Sequence, residues 1–595
     1  MMMAKASEEK FILGVSLGFN ASACIMSDQR GLIAAISEER FNGVKNTKEI
    51  PIYAISACMN IAQTMKLEKV AVCHYGPVSV DYVKRYLPDY FKQREEKFPT
   101  VQVDGLEYLR EIISRLSFEV GRIYRVEHHL AHGLSAMCFH GFPYGTSVIF
   151  TLDGFGDGTS GRIMLSNGEV LSSSRMGNSV GLVYQFVTGA LGFKEHQHEG
   201  KITGLAAFGE PKYIGVFGEI FTNELFGLRC DNFNAVLEGL SDEEFEKVLN
   251  SKIEDFDLFL RLKKTVYAKV QKLLDQGAKK QDIASSVQFF TELIATDWLF
   301  RVLKKHFGVP IPRMAVYLAG GVFANVKLNQ RIKEMNYVDS VFVAPAMGDE
   351  GTCVGAAFEV LRDTIGDKAL DLFRHKQSMF LGTDETDWNE EEVKQMLGDD
   401  RDKYSVWGLM SNDRLAKHIA VKLANKEIVC IFRGRMEFGP RALCNRSILF
   451  HAEDATVNQW LNEQLGRTEF MPFAPFCKAM NADRLFEDVN GGLQTAEYMT
   501  ITFDCKGEFL EDYPAAAHVD NTARPQFVTP FSNALAYQIL DEYEEITGKV
   551  ALINTSFNLH NSPIIESAKV AVDSWKKSNT DVLVIGNVII ERREK

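Results

Sequence analysis

The sequence predicts an α/β protein built from two domains. Its 595 residues exceed what one hydrophobic core usually serves, so two or three domains are expected. Strand-like apolar runs that end in Gly-rich turns alternate with amphipathic helical patterns along most of the chain. A charged, poorly patterned stretch separates two regular parts, and we place the boundary there. The first domain is predicted at 1–365, a linker at 366–404 and the second domain at 405–595.

Residues 11–37 of the first domain predict three strands. A turn follows the first strand, and a hairpin joins the second strand to the third. A hairpin start with small residues in its first turn is typical of actin-like ATPase folds. Further strands in "SVIFTLDGFGDG" (147–158) and "RMAVYLAGGVFAN" (313–325) each end in a Gly-rich turn, where an α/β sheet places ligands. Residues 210–305 predict an insert of amphipathic helices.

The second domain mixes both element types. "EIVCIF" (427–432) and "DVLVIGNVII" (581–590) predict strands, whereas "SNDRLAKHIAVKLAN" (411–425) and "SNALAYQILDEYEEI" (532–546) predict helices. This part is therefore expected to be α+β or α/β.

Composition excludes several classes of protein. With 46% hydrophobic and 24% charged residues, the chain has the composition of a soluble globular protein. A net charge of -13 argues against a general nucleic-acid binder, since phosphate neutralisation normally requires a basic surface. No signal-like segment or membrane-span length of apolar residues occurs, so a cytoplasmic location is predicted. The ten cysteines form no CxxC pair, which favours reduced thiols over disulfides or a zinc site.

Two histidines in "VEHHLAHGLSAM" (126–137) predict a metal site. His128 and His132 lie four residues apart, so on a helix they share one face and can bind one ion. Two histidines alone more often pack or cap, so carboxylates must complete the set. The candidates are Asp153, Asp157, Asp349 and Glu350. Imidazole with carboxylate suits iron, manganese or zinc, and the spacing does not choose among them.

Two glycine-rich turns could approach a nucleotide. In "LAGGVFAN" (318–325) an apolar strand runs into a Gly-Gly pair, where backbone N–H groups can reach phosphate. "EGKITGLA" (199–206) has a similar composition, although a plain turn with a surface lysine is the alternative for it. The candidate residues are Gly320, Gly321, Asn325, Gly200, Lys201 and Gly204.

The segment "FRGRMEFGPRALCNRSILF" (432–450) contains four arginines, with Glu437 as its only acid. The arginines alternate with Gly439, Pro440 and apolar residues directly after a strand, so they belong to a turn rather than to a solvated helix face. Guanidinium groups at such a turn favour bidentate binding of phosphate or carboxylate. The chain has no P-loop and no HExxH motif, which favours phosphoryl or acyl-phosphate chemistry without a P-loop.

Taken together, these motifs resemble the O-carbamoyltransferase family of nodulation-factor and antibiotic biosynthesis. The matching segments, in family order, are "SEERFNGVK" (37–45), "HHLAH", "LDGFGDG", "EGKITGLA", "LAGGVFAN", "GDEGTCVGAA", "GRMEFGPRALCNRSIL", "HVDNTAR" and "NTSFN". The resemblance implies an actin-like domain similar to the tRNA threonylcarbamoylation ATPase, followed by a YrdC-like α/β domain.

The resemblance also implies a reaction and its partners. The YrdC-like domain would convert carbamoyl phosphate and ATP, with Mg, into carbamoyl adenylate. The first domain would pass the carbamoyl group to a hydroxyl of a sugar or small natural product. No nucleic acid or membrane would take part, and the protein would be a monomer or a homodimer.

Site residues follow by the same carry-over. Carbamoyl phosphate and ATP would be bound by Arg435, Glu437, Arg441, Asn445, Arg446, Ser447, Arg467, Arg524, Asn554, Ser556 and Asn558. His128, His132, Asp153 and Asp349 would hold a divalent metal, with iron favoured, and Gly200, Lys201, Gly204, Gly320, Gly321 and Asn325 would line a second nucleotide. Lys45, Asn20, Arg441 and Arg446 would be catalytic.

Two departures from the family pattern leave alternatives open. Many relatives read Gly-His-Asp-Ala-Ser in the first turn, where this chain has Phe19 and Asn20, so the base that deprotonates the acceptor is not identified. Leu465 and Met471 replace a Lys and an Arg of the predicted anion clamp. A tRNA threonylcarbamoyl-type enzyme and a nucleotide-binding regulator without catalysis are the alternative functions.

Overall fold

The computed structural model describes residues 8–73, 78–79, 102–103, 105–142, 147–175, 178–218, 222–224, 227–229, 256–408, 410–456, 473–578 and 580–593. Two five-stranded sheets form its N-terminal part. The first contains β1 (Phe11–Ser16), β2 (Ser22–Ser27), β3 (Gly31–Ser37), β4 (Lys66–Cys73) and β5 (Glu119–Val126), in the order β3-β2-β1-β4-β5. The second contains β6 (Val148–Gly156), β7 (Thr159–Leu165), β8 (Val170–Arg175), β9 (Met314–Ala319) and β10 (Val338–Val343), in the order β8-β7-β6-β9-β10.

The two sheets have the same topology. In each, the first three strands pair antiparallel as a meander, and the last two are added parallel to the first strand. This duplicated arrangement is that of the actin-like ATPase folds, so the fold predicted for the first domain is confirmed.

The helices of this part cover and join the two sheets. They are α1 (Glu39–Asn42), α2 (Ile52–Ala62), α3 (Gly105–Arg115), α4 (His128–His140), α5 (Val180–Ala190), α6 (Glu199–Ala206), α7 (Ile214–Gly218), α8 (Phe256–Asp275), α9 (Lys280–Phe307), α10 (Val326–Lys333) and α11 (Thr352–Ile365). Helix α11 packs directly on β1. The approach is so close that a Cβ at Gly14 would lie 2.2 Å from the carbonyl oxygen of Cys353. The predicted helical insert appears as α8 and α9, and its residues 230–255 lie outside the described residues.

An eight-stranded mixed sheet forms the C-terminal part. Its strands are β11 (Tyr404–Trp407), β12 (Val429–Phe432), β13 (Arg446–His451), β14 (Ala474–Lys478), β15 (Gln526–Val528), β16 (Ala551–Ser556), β17 (Val582–Ile585) and β18 (Val588–Arg592), in the order β11-β18-β17-β12-β13-β16-β14-β15. Apolar clusters lie on both faces of this sheet. The α/β class predicted for this part is confirmed, whereas its YrdC-like character stays a prediction.

The segment between the two parts is folded. It contains α12 (Lys368–Leu372), a strand Phe380–Asp384 that pairs with Arg435–Glu437, and α13 (Glu390–Leu397). Leu381 packs in the N-terminal core, and Val393 and Leu397 pack in the C-terminal core. The remaining helices are α14 (Asn412–Ala424), α15 (Ala482–Leu485), α16 (Leu493–Ala496), α17 (Gly507–Asp512), α18 (Ala534–Thr547) and α19 (Ala568–Ser578).

The remaining described elements are short. Two-stranded ladders join Val78–Ser79 to Gln102–Val103, Thr222–Glu224 to Gly227–Arg229, and Phe503–Asp504 to Thr522–Ala523. Single 3-10 turns span Gly321–Ala324, Asp349–Gly351, Gly398–Lys403, Ala479–Asn481 and Pro514–Ala516. Among the described helices, none has the length and apolar composition needed to cross a bilayer.

Candidate functional site

Four predicted metal ligands come together between the two N-terminal sheets. Helix α4 begins after Glu127, whose carboxylate caps the helix by accepting from the Leu130 amide at 2.8 Å, and it presents His128 and His132 one turn apart. Asp153 lies on β6, and Asp349 lies in the turn after β10. One ligand atom from each of the four lies within 4.8 Å of the others.

The distances in this cluster are those of polar atoms aimed at one point. His128 Nε2 lies 3.1 Å from both Asp153 Oδ2 and His132 Nε2. Asp349 Oδ1 lies 3.4 Å from His132 Nε2 and 3.7 Å from His128 Nε2. The arrangement needs a glycine at 156, because a Cβ there would overlap the His128 ring at 1.9 Å.

The electrostatics of the cluster fit a cation. Burial would lower the pKa of His132, but the carboxylates of Asp153 and Asp349 raise it to about 9. Burial would raise the pKa of Asp153, and His128 and His132 hold it well below its usual value. Asp349 Oδ1 is buried and makes no hydrogen bond of acceptable geometry in the described structure. Two imidazoles and two carboxylates, one of which has an oxygen without a hydrogen bond, form a set that could hold a divalent metal ion.

The Gly-Gly turn after β9 supports this cluster. Gly320 has φ 104, and a Cβ on it would meet the Leu152 carbonyl oxygen at 2.1 Å, so only glycine fits there. The Gly321 amide donates to Asp153 Oδ1 at 3.2 Å. Asn325 caps α10 and exchanges hydrogen bonds with Gln288 of α9.

One large cavity connects the cluster to the C-terminal part. It has a volume of about 1390 Å³, and both parts of the chain contribute to its wall. The predicted site residues that line it are Asn20, Lys45, Asp153, Gly200, Gly321, Asn325, Asp349, Arg441, Ser556 and Asn558. Lys45 follows α1, whose C-cap Gly43 turns the chain in the left-handed conformation with φ 70.

The arginine-rich segment divides into two kinds of residue. Arg446 is fully buried, and its Nη atoms donate to the carbonyl oxygens of Arg433, Asn445 and Gly434. Arg435 donates to the carbonyl oxygens of Ile33, Leu381 and Gly382, and so joins the two parts of the chain. Arg433 donates to the amide oxygens of Asn587 and Asn412. Of these four arginines, Arg441 is the one placed on the wall of the large cavity.

Glu437 organises the same loop. Its Oε1 accepts from the backbone amides of Leu443, Asn445 and Arg446 at 2.8, 2.9 and 3.1 Å. The side chain is 2% exposed. Because this carboxylate accepts from three backbone amides, it fixes the path of the loop that presents Arg441. The contacts of Glu437 are therefore those of a residue that shapes the loop.

The neutral donors also make internal contacts. Asn554 Nδ2 donates to Gln526 Oε1 at 2.6 Å and to the Ala442 carbonyl at 3.1 Å. Ser447 Oγ accepts from the Cys444 amide at 2.9 Å. Asn445 Nδ2 donates to the Arg435 carbonyl at 2.7 Å.

Other predicted site residues lie off the wall of the large cavity or outside the described residues. Lys201 lies on α6 beside the cavity residue Gly200. Gly204 lines a second, smaller cavity of about 240 Å³. Arg524 lies between the strand Thr522–Ala523 and β15. Arg467, together with Leu465 and Met471, lies outside the described residues.

The structure adds cavity residues that the sequence did not indicate. The ring of Phe19 stacks on His196 with centroids 4.3 Å apart, and the Lys48 ammonium lies 3.7 Å from the Phe19 centroid. Gln185 Nε2 lies 3.1 Å from His196 Nε2. Arg40 lines the same wall. Phe19 and Arg40 stand in segments that the sequence singles out, the first turn and "SEERFNGVK", but their residue types do not show that they line a cavity.

Two family models match the chain. The carbamoyltransferase N-terminus matches residues 11–358, and the carbamoyltransferase C-terminus matches residues 420–592. Protein MJ1058 of Methanocaldococcus jannaschii is 30% identical over 484 residues, which cover 78% of this chain and 73% of that protein. Nodulation protein NolNO of Sinorhizobium fredii is 27% identical over 612 residues, covering 99% and 82%. Nodulation protein NolO of Bradyrhizobium diazoefficiens is 28% identical over 483 residues, covering 79% of each chain.

Proposed function

This chain belongs to the carbamoyltransferase family, and on that premise we propose that it is an ATP-dependent O-carbamoyltransferase. In its C-terminal part, carbamoyl phosphate, ATP and one water give carbamoyl adenylate, with release of phosphate and pyrophosphate. In its N-terminal part, the hydroxyl oxygen of a sugar or small natural product attacks the carbamoyl carbon. The bond from that carbon to the phosphate oxygen breaks, AMP leaves, and the hydroxyl proton passes to a base or to solvent.

The observation that carries this proposal is the single cavity shared by both parts of the chain. Arg441, Ser556 and Asn558 line it on the C-terminal side, whereas Asn20, Lys45 and Asp349 line it on the N-terminal side. A reactive acyl phosphate formed at one end can therefore reach the other end through one continuous cavity. Because water hydrolyses such intermediates, a path within one chain favours a two-step transfer.

The first turn supplies a group that can orient the acceptor. Asn20 Nδ2 donates to Glu350 Oε2 at 3.2 Å, which assigns the amide orientation and leaves Asn20 Oδ1 as the accepting end. An acceptor hydroxyl can donate to that oxygen. Lys45, on the same wall, can neutralise charge on the departing phosphate.

The four-residue cluster would hold a divalent metal, with iron and Mg-bound ATP as the proposed cofactors. His128, His132, Asp153 and Asp349 would be its ligands. A metal there would supply Lewis-acid polarisation of the carbamoyl carbonyl. The glycine turn at Gly321, and Gly200 across the cavity, would approach the nucleotide with backbone rather than side-chain groups.

The reaction can be tested with the purified chain. We expect pyrophosphate release only when carbamoyl phosphate and ATP are both present, and a carbamoyl adduct by mass spectrometry when a panel of hydroxylated sugars and natural products is added. Turnover of ATP that is independent of carbamoyl phosphate, or that never forms AMP, would show that the proposal is wrong. A requirement for bicarbonate and threonine instead would identify the threonylcarbamoyl alternative.

A further inference from the structure

Arg40 spans the junction between the two parts of the chain. It lies on α1, in the N-terminal part, and its Nη2 donates to the carbonyl oxygen of Gly439 in the C-terminal part at 2.6 Å. The residue is 6% exposed, and it lines the large cavity. Gly439 immediately precedes Pro440 and Arg441, which line the cavity beside it.

The guanidinium of Arg40 has unused binding capacity. Its Nη1 is buried and has no hydrogen-bond partner. No carboxylate of the described residues lies within ion-pair distance of Arg40. A buried cation without a counter-charge is costly, and so is a buried donor without an acceptor. Both costs are removed by an anion in the adjoining cavity.

Arg435 is an arginine that bridges the two parts without lining either described cavity. Its Nε and Nη2 donors bind three carbonyl oxygens, from Ile33, Leu381 and Gly382, and neither described cavity has it on the wall. Arg40 also bridges the two parts, but it commits a single donor atom to protein and faces the cavity. The contrast separates a structural arginine from one with room for a ligand.

The position of Arg40 identifies the anion. The loop it contacts approaches the N-terminal part closely, because a Cβ on Gly439 would lie 3.0 Å from the carbonyl oxygen of Pro345, four residues before Asp349. Arg40 therefore lines the same cavity as Arg441 of that loop and as Asp153 and Asp349 of the His128 cluster. We propose that Arg40 binds the phosphate of an acyl adenylate, in this reaction carbamoyl adenylate, while it moves between the two parts. This inference rests on the proposed function.

The experiment measures how well the chain retains its intermediate. The full-length protein is mixed with carbamoyl phosphate and ATP labelled at the α-phosphate, without an acceptor, and passed rapidly through a desalting column. Pyrophosphate release is measured in the same samples. For Arg40→Gln we expect pyrophosphate release in the first turnover at the wild-type rate, with about tenfold less label retained, as for the loss of one charge-assisted hydrogen bond. Arg40→Lys, which keeps the charge, should retain more label than Arg40→Gln.

Arg592→Gln is the matched control. Arg592 also donates to carbonyl oxygens, those of Thr580 and Trp575, and neither described cavity has it on the wall. This variant should retain label as the wild type does. Equal retention by Arg40→Gln and wild type would overturn the inference, and so would equal losses in the Gln and Lys variants or a parallel loss of pyrophosphate release. If the wild type itself released no pyrophosphate with both substrates, the proposed function would fail first.

Discussion

The two charged regions of this chain use their charges in opposite ways. In the histidine–aspartate cluster, four side chains from α4, β6 and the turn after β10 converge on one point, and a buried oxygen of Asp349 is left without a hydrogen bond. In the arginine-rich loop, Arg435 and Arg446 are bound to backbone carbonyls and Glu437 to backbone amides. A charge that is already bound to the backbone builds structure, whereas one left uncommitted beside a cavity can bind a ligand.

Within the arginine-rich loop, Arg446 and Arg441 differ in whether they line the large cavity. Arg446 has a guanidinium carbon 3.9 Å from the Phe432 centroid and three carbonyl partners, so it holds the loop in place. Arg441 lines the cavity and is the loop's group that can reach a substrate there. Of the four arginines, Arg441 is therefore the one that lines the large cavity, whereas Arg433, Arg435 and Arg446 hydrogen-bond to other parts of the protein.

The largest expected effect separates the two regions by activity. Arg441→Ala should lower adenylate formation by about 10²–10³-fold, because it removes a charge that stabilises the leaving phosphates. His132→Ala should leave adenylate formation intact and block transfer to the acceptor, since it removes one proposed metal ligand from the N-terminal part. Pyrophosphate release and carbamoyl-adduct formation are measured separately for each variant.

The surface variant Arg301→Ala serves as its control, because Arg301 contacts Asp297 on the exposed side of α9. It should match the wild type in both assays. Loss of pyrophosphate release in both Arg441→Ala and His132→Ala would contradict the division of labour between the two regions.

A second prediction tests the scaffold role of Glu437. Glu437→Gln should lower the free energy of unfolding by about 2–3 kcal/mol. The charged acceptor of three backbone amides is replaced by a neutral one, and the NH2 group of the new side chain is buried where Oε2 has no partner. The midpoint of urea unfolding measures this change. Glu508→Gln, which loses an exposed pair with Arg484, should cost less than about 1 kcal/mol. Equal costs would mean that Glu437 does not hold the loop.

A third prediction concerns Glu38, a buried carboxylate of the N-terminal part that accepts from two backbone amides. Burial raises its pKa to about 8, although it accepts from the Ala54 amide at 2.8 Å and the Tyr53 amide at 3.2 Å. Because the pKa of Glu38 in the folded protein exceeds its unfolded value of 4.5, protonation of Glu38 stabilises the folded state. This contribution to the free energy of unfolding is fully present below pH 4.5 and is lost as the pH rises toward about 8.

The wild type should therefore lose about 3–4 kcal/mol of stability between pH 5 and pH 8 through this group. Glu38→Gln should remove that part of the slope in urea titrations at several pH values. A slope that is the same in both proteins would assign the pH dependence to other groups.

The sequence predicts the side chains that meet at the metal cluster better than the arginines that bind backbone carbonyls. The two histidines, the aspartates after strands and the glycine turn are visible because their spacing follows helix and strand geometry, and the structure brings them together. The partners of Arg435 and Arg446 are carbonyl oxygens supplied by the path of the backbone, which residue types do not encode. Arg40 was missed for a related reason, since nothing in "SEERF" shows that its guanidinium is buried at a junction.

The smallest expected effect tests the segment between the two regions, which its charged composition predicts to be a linker. Asn389 and Glu392 form a capping box at the start of α13, with both reciprocal hydrogen bonds at 3.0 Å. Val393 and Leu397 then pack in the C-terminal core. Asn389→Ala should cost about 1 kcal/mol of unfolding free energy. Asn167→Ala, in a turn outside any helix, should cost less. A cost near zero for Asn389→Ala would mean that the start of α13 does not stabilise the C-terminal part, as the predicted linker at 366–404 implies.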